Sequence, residues 1–459
     1  MDSITNVYNS LKEKFNSNQT IKQIFSNTSW LLLEKISQMA LGFLVGVWMA
    51  RYLGPEKYGY LNLGLSIVTI IYAVAPLGLI GFVIKELVKK PDSEDEILGT
   101  VFYTRLVSGL VFSGILVIVT KLIFEDNLEL WILVSILSIR ISLQSFEVID
   151  LLYQARVSSK YAVYCRSIAF FLSAILKVLL ILMKAPLILF TIAITLEFVA
   201  VSLCYLFMYS FTHKMRISTW KFNFKMMKQM LKESWPLIFS GFAAIIYLKI
   251  DQIMLQYFSG EKAVGIYAAA TKLSEVWYVI PTLIVSSIFP ALIKQKEISE
   301  NLYKEKLQMG FDFLFILASI LALFFTFFSD FIIRSTYGSS YMEASQILKI
   351  HIWAGTFIFL RALYTRWSIN ENLAKLTLIS DIMGAIFNIL LNVVLIPNYG
   401  AMGAAIATVL SYSVSVFWLT FLSKKSRYVG KMMFLSIFSP FRYFLKGINK
   451  LQNNNVKDV

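Results

Sequence analysis

The sequence is poor in charge. Only 15% of its 459 residues are Asp, Glu, Lys or Arg, where a soluble chain carries about a quarter. Against that stand 57% hydrophobic residues and a mean hydropathy of +0.67. No aqueous fold hides so much apolar side chain, so lipid is the main solvent. Cysteine is nearly absent. Cys165 and Cys204 are the only two, and both fall inside apolar helical runs, which argues against a disulfide framework and reads them as small buried hydrophobes. No Gly-x-x-x-x-Gly-Lys-Ser/Thr loop occurs, so ATP is not bound by the P-loop route, and no metal or other cofactor is called for. The first 27 residues are polar and lack an apolar stretch before a small-residue cleavage site, so a cleaved signal peptide is not expected.

What the chain has instead is apolar runs. A membrane-crossing helix needs about 20 mostly apolar residues, and twelve segments qualify, at approximately 28–50, 59–83, 98–120, 130–152, 162–183, 187–210, 234–257, 264–290, 309–329, 345–369, 373–396 and 401–423. The expected fold is all-α: a polytopic membrane protein of twelve helices. Its net charge of +15 is not a nucleic-acid footprint, because Lys and Arg gather in the short polar segments between the runs. They alternate, twenty-seven on one side against six on the other. By the positive-inside rule this places both termini in the cytoplasm. The outward loops (51–58, 121–129, 184–186, 258–263, 330–344 and 397–400) are too short for an extramembrane domain. The cytoplasmic connection around 211–233 is basic and aromatic (Trp220, Phe222, Phe224) and reads as an amphipathic segment on an anionic leaflet. The tail around Lys431–Lys446 looks similar, and the stretch from Asn449 reads as disordered.

Residues 205 positions apart repeat one another. Ser29-Trp30 opens the first apolar run and Ser234-Trp235 the seventh. Tyr52-Leu53-Gly54-Pro55-Glu56-Lys57-Tyr58-Gly59 returns as Tyr257-Phe258-Ser259-Gly260-Glu261-Lys262-Ala263-Val264-Gly265 with one residue inserted, and Pro76 returns as Pro281. Both copies start on the cytoplasmic side, so the halves are parallel repeats, an arrangement whose substrate sites lie between the halves near mid-membrane. The organisation expected is a cytoplasmic N-terminal segment (1–27), a six-helix lobe (28–210), a basic cytoplasmic linker (211–233), a second six-helix lobe (234–423) and a basic cytoplasmic tail (424–459). Pro76 and Pro281 are candidate bend or gating points, since proline leaves a helix carbonyl unpaired; rigid packing kinks are the alternative.

Arg51-Tyr52-Leu53-Gly54-Pro55 with Tyr58-Gly59 resembles the signature of bacterial polysaccharide flippases. So do Asp251-Gln252-Ile253-Met254-Leu255 running on to Val264-Gly265-Ile266-Tyr267-Ala268-Ala269, Phe289-Pro290, and Pro397-Asn398-Tyr399-Gly400-Ala401-Met402-Gly403-Ala404-Ala405. The family is that of the Wzx-type O-antigen and capsule transporters, in the multidrug/oligosaccharidyl-lipid/polysaccharide exporter superfamily. The resemblance runs from Asn27 to about Ser423. It implies a MATE-like fold of two six-helix lobes facing a cavity, and alternating access. The implied cargo is an undecaprenyl-pyrophosphate-linked oligosaccharide turned from the cytoplasmic to the periplasmic leaflet of the bacterial inner membrane. A polysaccharide polymerase and a chain-length regulator are the implied protein partners.

Charges inside the apolar runs point to the site, because each costs about 2.5–3.5 kcal/mol at mid-helix unless it lines water or pairs. The bases are Lys35, Arg105, Arg140, Arg166, Lys177, Lys249, Lys272, Lys349, Arg361 and Arg366. The acids are Glu34, Glu147, Asp150, Glu197, Asp251, Glu275, Asp312 and Asp381. Arg140 shares a helix face with Gln144 and Glu147, Lys272 with Glu275, and Asp381 with Asn388 and Asn392. Arg140 and Arg361 have no acid one turn away, and a guanidinium fork suits a pyrophosphate; with Lys272, Lys249 and Lys35 they are the substrate-binding candidates. Lys272–Glu275 reads equally well as an internal ion pair. Asp251, Glu275, Asp381 and Glu34 are the ion-coupling candidates. Arg105, Arg166, Asp312 and Arg366 lie near cytoplasmic helix ends and read as interfacial; His351 is a candidate proton sensor. Competing functions are a drug or cation antiporter of the same superfamily, a membrane O-antigen polymerase or ligase, which needs a folded outer loop this chain lacks, and a scaffold without transport.

Overall fold

The computed structural model describes residues 19–125, 127–213 and 217–443. Most of the segment 1–27 and the stretch from Asn449 lie outside them. Among the described residues every regular element is helical. The α-helices are α1 (Gln19–Val74), α2 (Ile80–Lys89), α3 (Glu94–Ile123), α4 (Leu128–Leu143), α5 (Val148–Ala155), α6 (Lys160–Leu182) and α7 (Leu187–His213). They continue as α8 (Phe224–Glu275), α9 (Val279–Ile298), α10 (Glu300–Thr336), α11 (Glu343–His351), α12 (Ala354–Asn370), α13 (Ala374–Val416) and α14 (Arg427–Ile437).

Among the described residues nine helical stretches are long and apolar enough to cross a bilayer. Three of them, Trp30–Val74, Ile245–Ile298 and Lys375–Phe421, run 45, 54 and 47 residues, enough for two crossings each. The nine therefore accommodate the twelve expected. Each long stretch is interrupted by a glycine at positive φ: Gly54, Gly260 or Gly400. Gly54 (φ 74°, ψ 169°) and Gly260 (φ 76°, ψ 176°) share one conformation that only glycine adopts readily. Pro76 and Pro281, the candidate bend or gating points, both stand near helix boundaries. Pro76 lies between α1 and α2, followed by Leu77 and Gly78 at positive φ. Pro281 stands in the first turn of α9, just after the 3-10 turn Val276–Tyr278, where a missing N–H breaks no helical bond.

Contacts divide the chain into two compact units, residues 1–52 with 64–242, and residues 53–63 with 243–459. In the first, Phe82, Val101, Phe102, Ile149, Leu152, Tyr205 and Tyr209 of α2, α3, α5 and α7 form one apolar core. Cys165 is buried in it and Cys204 packs at its edge, both free. In the basic connection Phe222 and Phe224 are exposed, but Trp220 departs from expectation. Trp220 does not lie on a leaflet but enters this core against Phe102 and Tyr209, donating its Nε1–H to the Tyr209 hydroxyl at 3.0 Å. The backbone N–H of Lys221 donates to the Asp95 carbonyl at 3.2 Å. Burial of one indole outweighs its interfacial placement, since a buried aromatic removes 150–250 Å² from solvent.

In the second unit, α9, α10, α12 and α14 share a core of Phe289, Leu307, Phe311, Leu314, Leu363 and Trp367, closed by Val429 and Met433. The tail helix α14 is thus docked through its apolar face. Arg442 and Tyr443, beyond it, donate to the buried Asp312 at 2.7 and 3.3 Å, so Asp312 is a docking carboxylate, not an interfacial one. The two copies of the repeat motif meet in this unit. A Cβ on Gly59 would strike the Glu261 carbonyl, and one on Gly265 the Pro55 carbonyl. The segments therefore cross backbone against backbone, as small residues allow between membrane helices. The Tyr60 hydroxyl and the Gln256 amide donate to the two oxygens of Glu261 at 2.9 and 3.1 Å. Away from these cores, helix surfaces present long apolar side chains such as Leu110, Ile118, Phe207, Phe211, Phe327 and Phe331, as lipid contact requires.

Candidate functional site

In the first unit several of the charged residues pair with one another. Arg166 of α6 grips Glu34 of α1 with Nε and Nη2 at 2.6 and 2.8 Å, and reaches Asp150 of α5 with Nη1 at 2.7 Å. The Gln38 amide adds a bond to Glu34 at 3.1 Å. Arg166 is therefore the hub of an internal triad, not an interfacial residue, and Glu34 is bound within it. The neighbouring Lys35 is exposed, as expected of successive helix positions 100° apart.

Deeper in the same unit, Arg140 is 8% exposed. Its guanidinium stacks between Tyr72 and Phe198, 5.2 and 5.4 Å from the ring centres, and its Nη2 donates to Thr69 Oγ1 at 2.7 Å, leaving Nε without a partner. The Tyr72 hydroxyl donates to Glu147 at 2.6 Å. Tyr72 thus bridges the arginine and the acid that the helical face had placed together. Lys177 pairs with Glu197 at 3.1 Å. Arg105 is not at an interface. It is 2% exposed, and its three guanidinium nitrogens meet no hydrogen-bond partner, with Glu147 and Tyr72 as electrostatic neighbours.

The second unit holds two polar arrangements of different character. One surrounds Asp251 of α8, which is 3% exposed. Tyr267 and Thr408 donate to Oδ2, each at 2.6 Å, and Asn392 donates to Oδ1 at 2.6 Å. Asn388 bonds Asn392 through its carbonyl oxygen at 3.0 Å. No Lys or Arg forms an ion pair with Asp251 among the described residues. A buried carboxylate answered only by neutral dipoles is costly, and the same oxygens suit a small cation or a proton. The Asp381–Asn388–Asn392 stripe of α13 divides here. Its two asparagines serve Asp251, and Asp381 turns to Arg361, Oδ1 to Nη2, at 2.7 Å.

The other arrangement is a cavity of about 470 Å³, within the usual size of a small-molecule site. Its main wall is a stripe of α12, Ile358, Arg361, Ala362, Thr365, Arg366 and Ile369. Their spacing of three and four residues puts all six on one helix face. Facing them are Tyr247 and Leu248 of α8, Tyr278, Thr282 and Val285 around the start of α9, and Tyr412 of α13. Two guanidinium groups therefore stand in a largely apolar and aromatic pocket. Arg366, read from sequence as interfacial, lines this cavity, and the tyrosines were not singled out at all. They carry no charge, and nothing in their local spacing distinguishes them from core aromatics.

The remaining candidates are placed as follows. The internal ion pair read for Lys272–Glu275 does not form: neither they nor Lys249 make an ion pair within 4 Å among the described residues. Glu275 has Lys249, Lys272 and Asp251 as electrostatic neighbours. His351 is buried and shares a 2.5 Å hydrogen bond between Nδ1 and Ser274 Oγ. Lys349 pairs with Asp330 at 3.0 Å.

A polytopic helical membrane protein with ion-paired helices and an arginine-bearing cavity is the class that fold and site define. By sequence the chain belongs to the family of polysaccharide biosynthesis proteins, whose model matches residues 24–296, more than half of it. It is similar to two proteins of Haloferax volcanii, "Probable low-salt glycan biosynthesis flippase Agl15" (26% identical, over 44% of this chain and 43% of that one) and "Probable flippase AglR" (30%, 37% and 36%). It is also similar to "Uncharacterized membrane protein MJ1068" of Methanocaldococcus jannaschii (28%, 40% and 37%). The chain thus spans about two fifths of the length of these relatives. Its fold is similar to that of a solved structure described as "Lipid II flippase MurJ, inward closed conformation" (TM-score 0.70, 18% identity, 92% of this chain and 93% of that one). It is also similar to that of an inward-facing multidrug resistance transporter of the MATE family (TM-score 0.66, 15% identity, 87% and 97%).

Proposed function

We propose that this protein is a transporter, not an enzyme, and that it flips a lipid-linked oligosaccharide for surface polysaccharide across the membrane in which it sits. The cargo is a polyprenyl-pyrophosphate-linked repeat unit, carried on undecaprenol in a bacterial inner membrane. It is delivered from the cytoplasmic to the outer leaflet for use by a polymerase and its chain-length regulator. The family and the two relatives named as flippases support this reading. The observation that carries it is the α12 cavity, where guanidinium groups and hydrocarbon line the same space. That combination matches an amphiphile with an anionic head. Two six-helix lobes (28–210 and 234–423) working by alternating access, with both termini cytoplasmic, complete the proposal. Arg140, sandwiched between Tyr72 and Phe198, is a further candidate guanidinium in the first unit.

The test is direct. Purified protein in proteoliposomes should make a fluorescent polyprenyl-diphosphate oligosaccharide in the inner leaflet accessible to an external glycan-modifying reagent. Empty liposomes should not. Equal rates with and without protein would sink the proposal.

Coupling to an ion gradient at Asp251 belongs to the same reading, and the ring of neutral donors around that carboxylate supports it. That feature also favours the second reading, a multidrug or cation antiporter of the same superfamily. Loss of surface glycan on deletion, with unchanged drug tolerance, distinguishes the first from the second.

A further inference from the structure

The α12 stripe holds two arginines with different electrical surroundings. Arg361 gives Nη2 to Asp381 at 2.7 Å, so its charge is already answered. Arg366 makes no ion pair among the described residues, is exposed, and is one of the residues that line the cavity. The pocket is thus one positive charge in excess, and that excess belongs to Arg366. Ile358 and Ile369 border the arginines along the same helix face, and Leu248 and Val285 stand opposite. The surface therefore offers one unanswered guanidinium within an apolar surround.

We propose that Arg366 is the residue that binds the phosphate end of an amphiphilic cargo, with the hydrocarbon against Leu248, Val285, Ile358 and Ile369, while the Arg361–Asp381 pair is a neutralised wall that shapes the cavity. This rests on the flippase reading and narrows it. Sequence spacing gave Arg361 the cargo; the tertiary structure gives it to Arg366, because Asp381 arrives from another helix. An unpaired guanidinium attracts an anion more strongly than one already compensated by a carboxylate, and a guanidinium–phosphate contact is frequently bidentate.

The proposal is tested by native mass spectrometry of the full chain in detergent. The probes are geranylgeranyl diphosphate, geranylgeraniol, inorganic pyrophosphate and phosphatidylglycerol. Wild type should prefer the diphosphate over the alcohol. Arg366→Ala and Arg366→Gln should each weaken diphosphate binding about tenfold or more, the size expected for a hydrogen bond to a charged group, with unchanged melting temperature. Asp381→Asn, which releases Arg361, should restore part of that binding in the Arg366→Ala background, an effect no merely structural role of Arg366 produces. Wild-type binding in both Arg366 variants would overturn the assignment and leave the flippase reading intact. Displacement by pyrophosphate or phosphatidylglycerol as effective as by the diphosphate would overturn it too, since Arg366 would then hold a free anion or bulk lipid. No preference for diphosphate over alcohol in wild type would instead remove the flippase reading on which it rests.

Discussion

Gly59 and Gly265 hold equivalent places in the two copies of the repeat motif, and each leaves no room for a side chain on the other's account. A methyl on either would strike a backbone carbonyl of the opposing segment, Glu261 or Pro55. A carbonyl cannot rotate away as a flexible side chain can. Gly59→Ala and Gly265→Ala should therefore each destabilise the protein by about 1–3 kcal/mol, the usual cost of overpacking. Gly114→Ala, at a helical glycine with open space around it, should be neutral or stabilising by up to about 1 kcal/mol. Thermal melting in detergent measures all three, and equal melting temperatures for the Gly59 and Gly114 variants would refute the close crossing.

Asp251 is satisfied entirely by neutral groups in this structure. Asp251→Asn keeps the size and removes the charge that would hold a cation or take up a proton. Its flipping rate in proteoliposomes should no longer respond to imposed sodium or proton gradients, with the protein still folded. A variant that responds as wild type does would exclude Asp251 as the coupling site.

Arg166 holds two carboxylates from two other helices, Glu34 and Asp150. Removing the base leaves like charges facing each other with nothing between them. Arg166→Ala should cost about 3–5 kcal/mol, the range for breaking a buried pair from one side. Adding Glu34→Gln should recover part of that loss. A double-mutant cycle by chemical denaturation reads the coupling, and strict additivity would mean that the triad contributes no interaction energy.

Arg140 tests planarity against charge. Arg140→Lys keeps the positive charge but forfeits the flat contact with Tyr72 and Phe198 and shortens the reach to Thr69. Surface polysaccharide should fall several-fold in both Arg140→Lys and Arg140→Ala cells, with normal protein abundance on an immunoblot. A parallel fall in abundance would assign Arg140 to the fold instead.

Much of the architecture was legible in the chain. Apolar runs of twenty residues have one stable environment, and backbone groups in lipid leave helices as the economical answer. The repeat was legible because Gly54, Gly59, Gly260 and Gly265 are demanded by backbone geometry, and residues so demanded keep their spacing. The membrane-embedded charges were legible as a set, because a charge in an apolar run stands out.

Their partners were not. Helical periodicity relates residues three, four or seven apart, so it grouped Lys272 with Glu275 and Asp381 with Asn388. The structure leaves the first pair unjoined and sends Asp381 to Arg361, twenty positions away on a different helix. Glu34 finds Arg166 across 132 positions and Asp251 finds Thr408 across 157. The sequence by itself determined that this is a helical membrane protein with a repeated motif and costly charges inside. Only the tertiary structure decided which charges cancel and which remain. Periodicity is a property of one helix, whereas the energy of a buried ion depends on whatever neighbouring helices bring within a few ångströms of it.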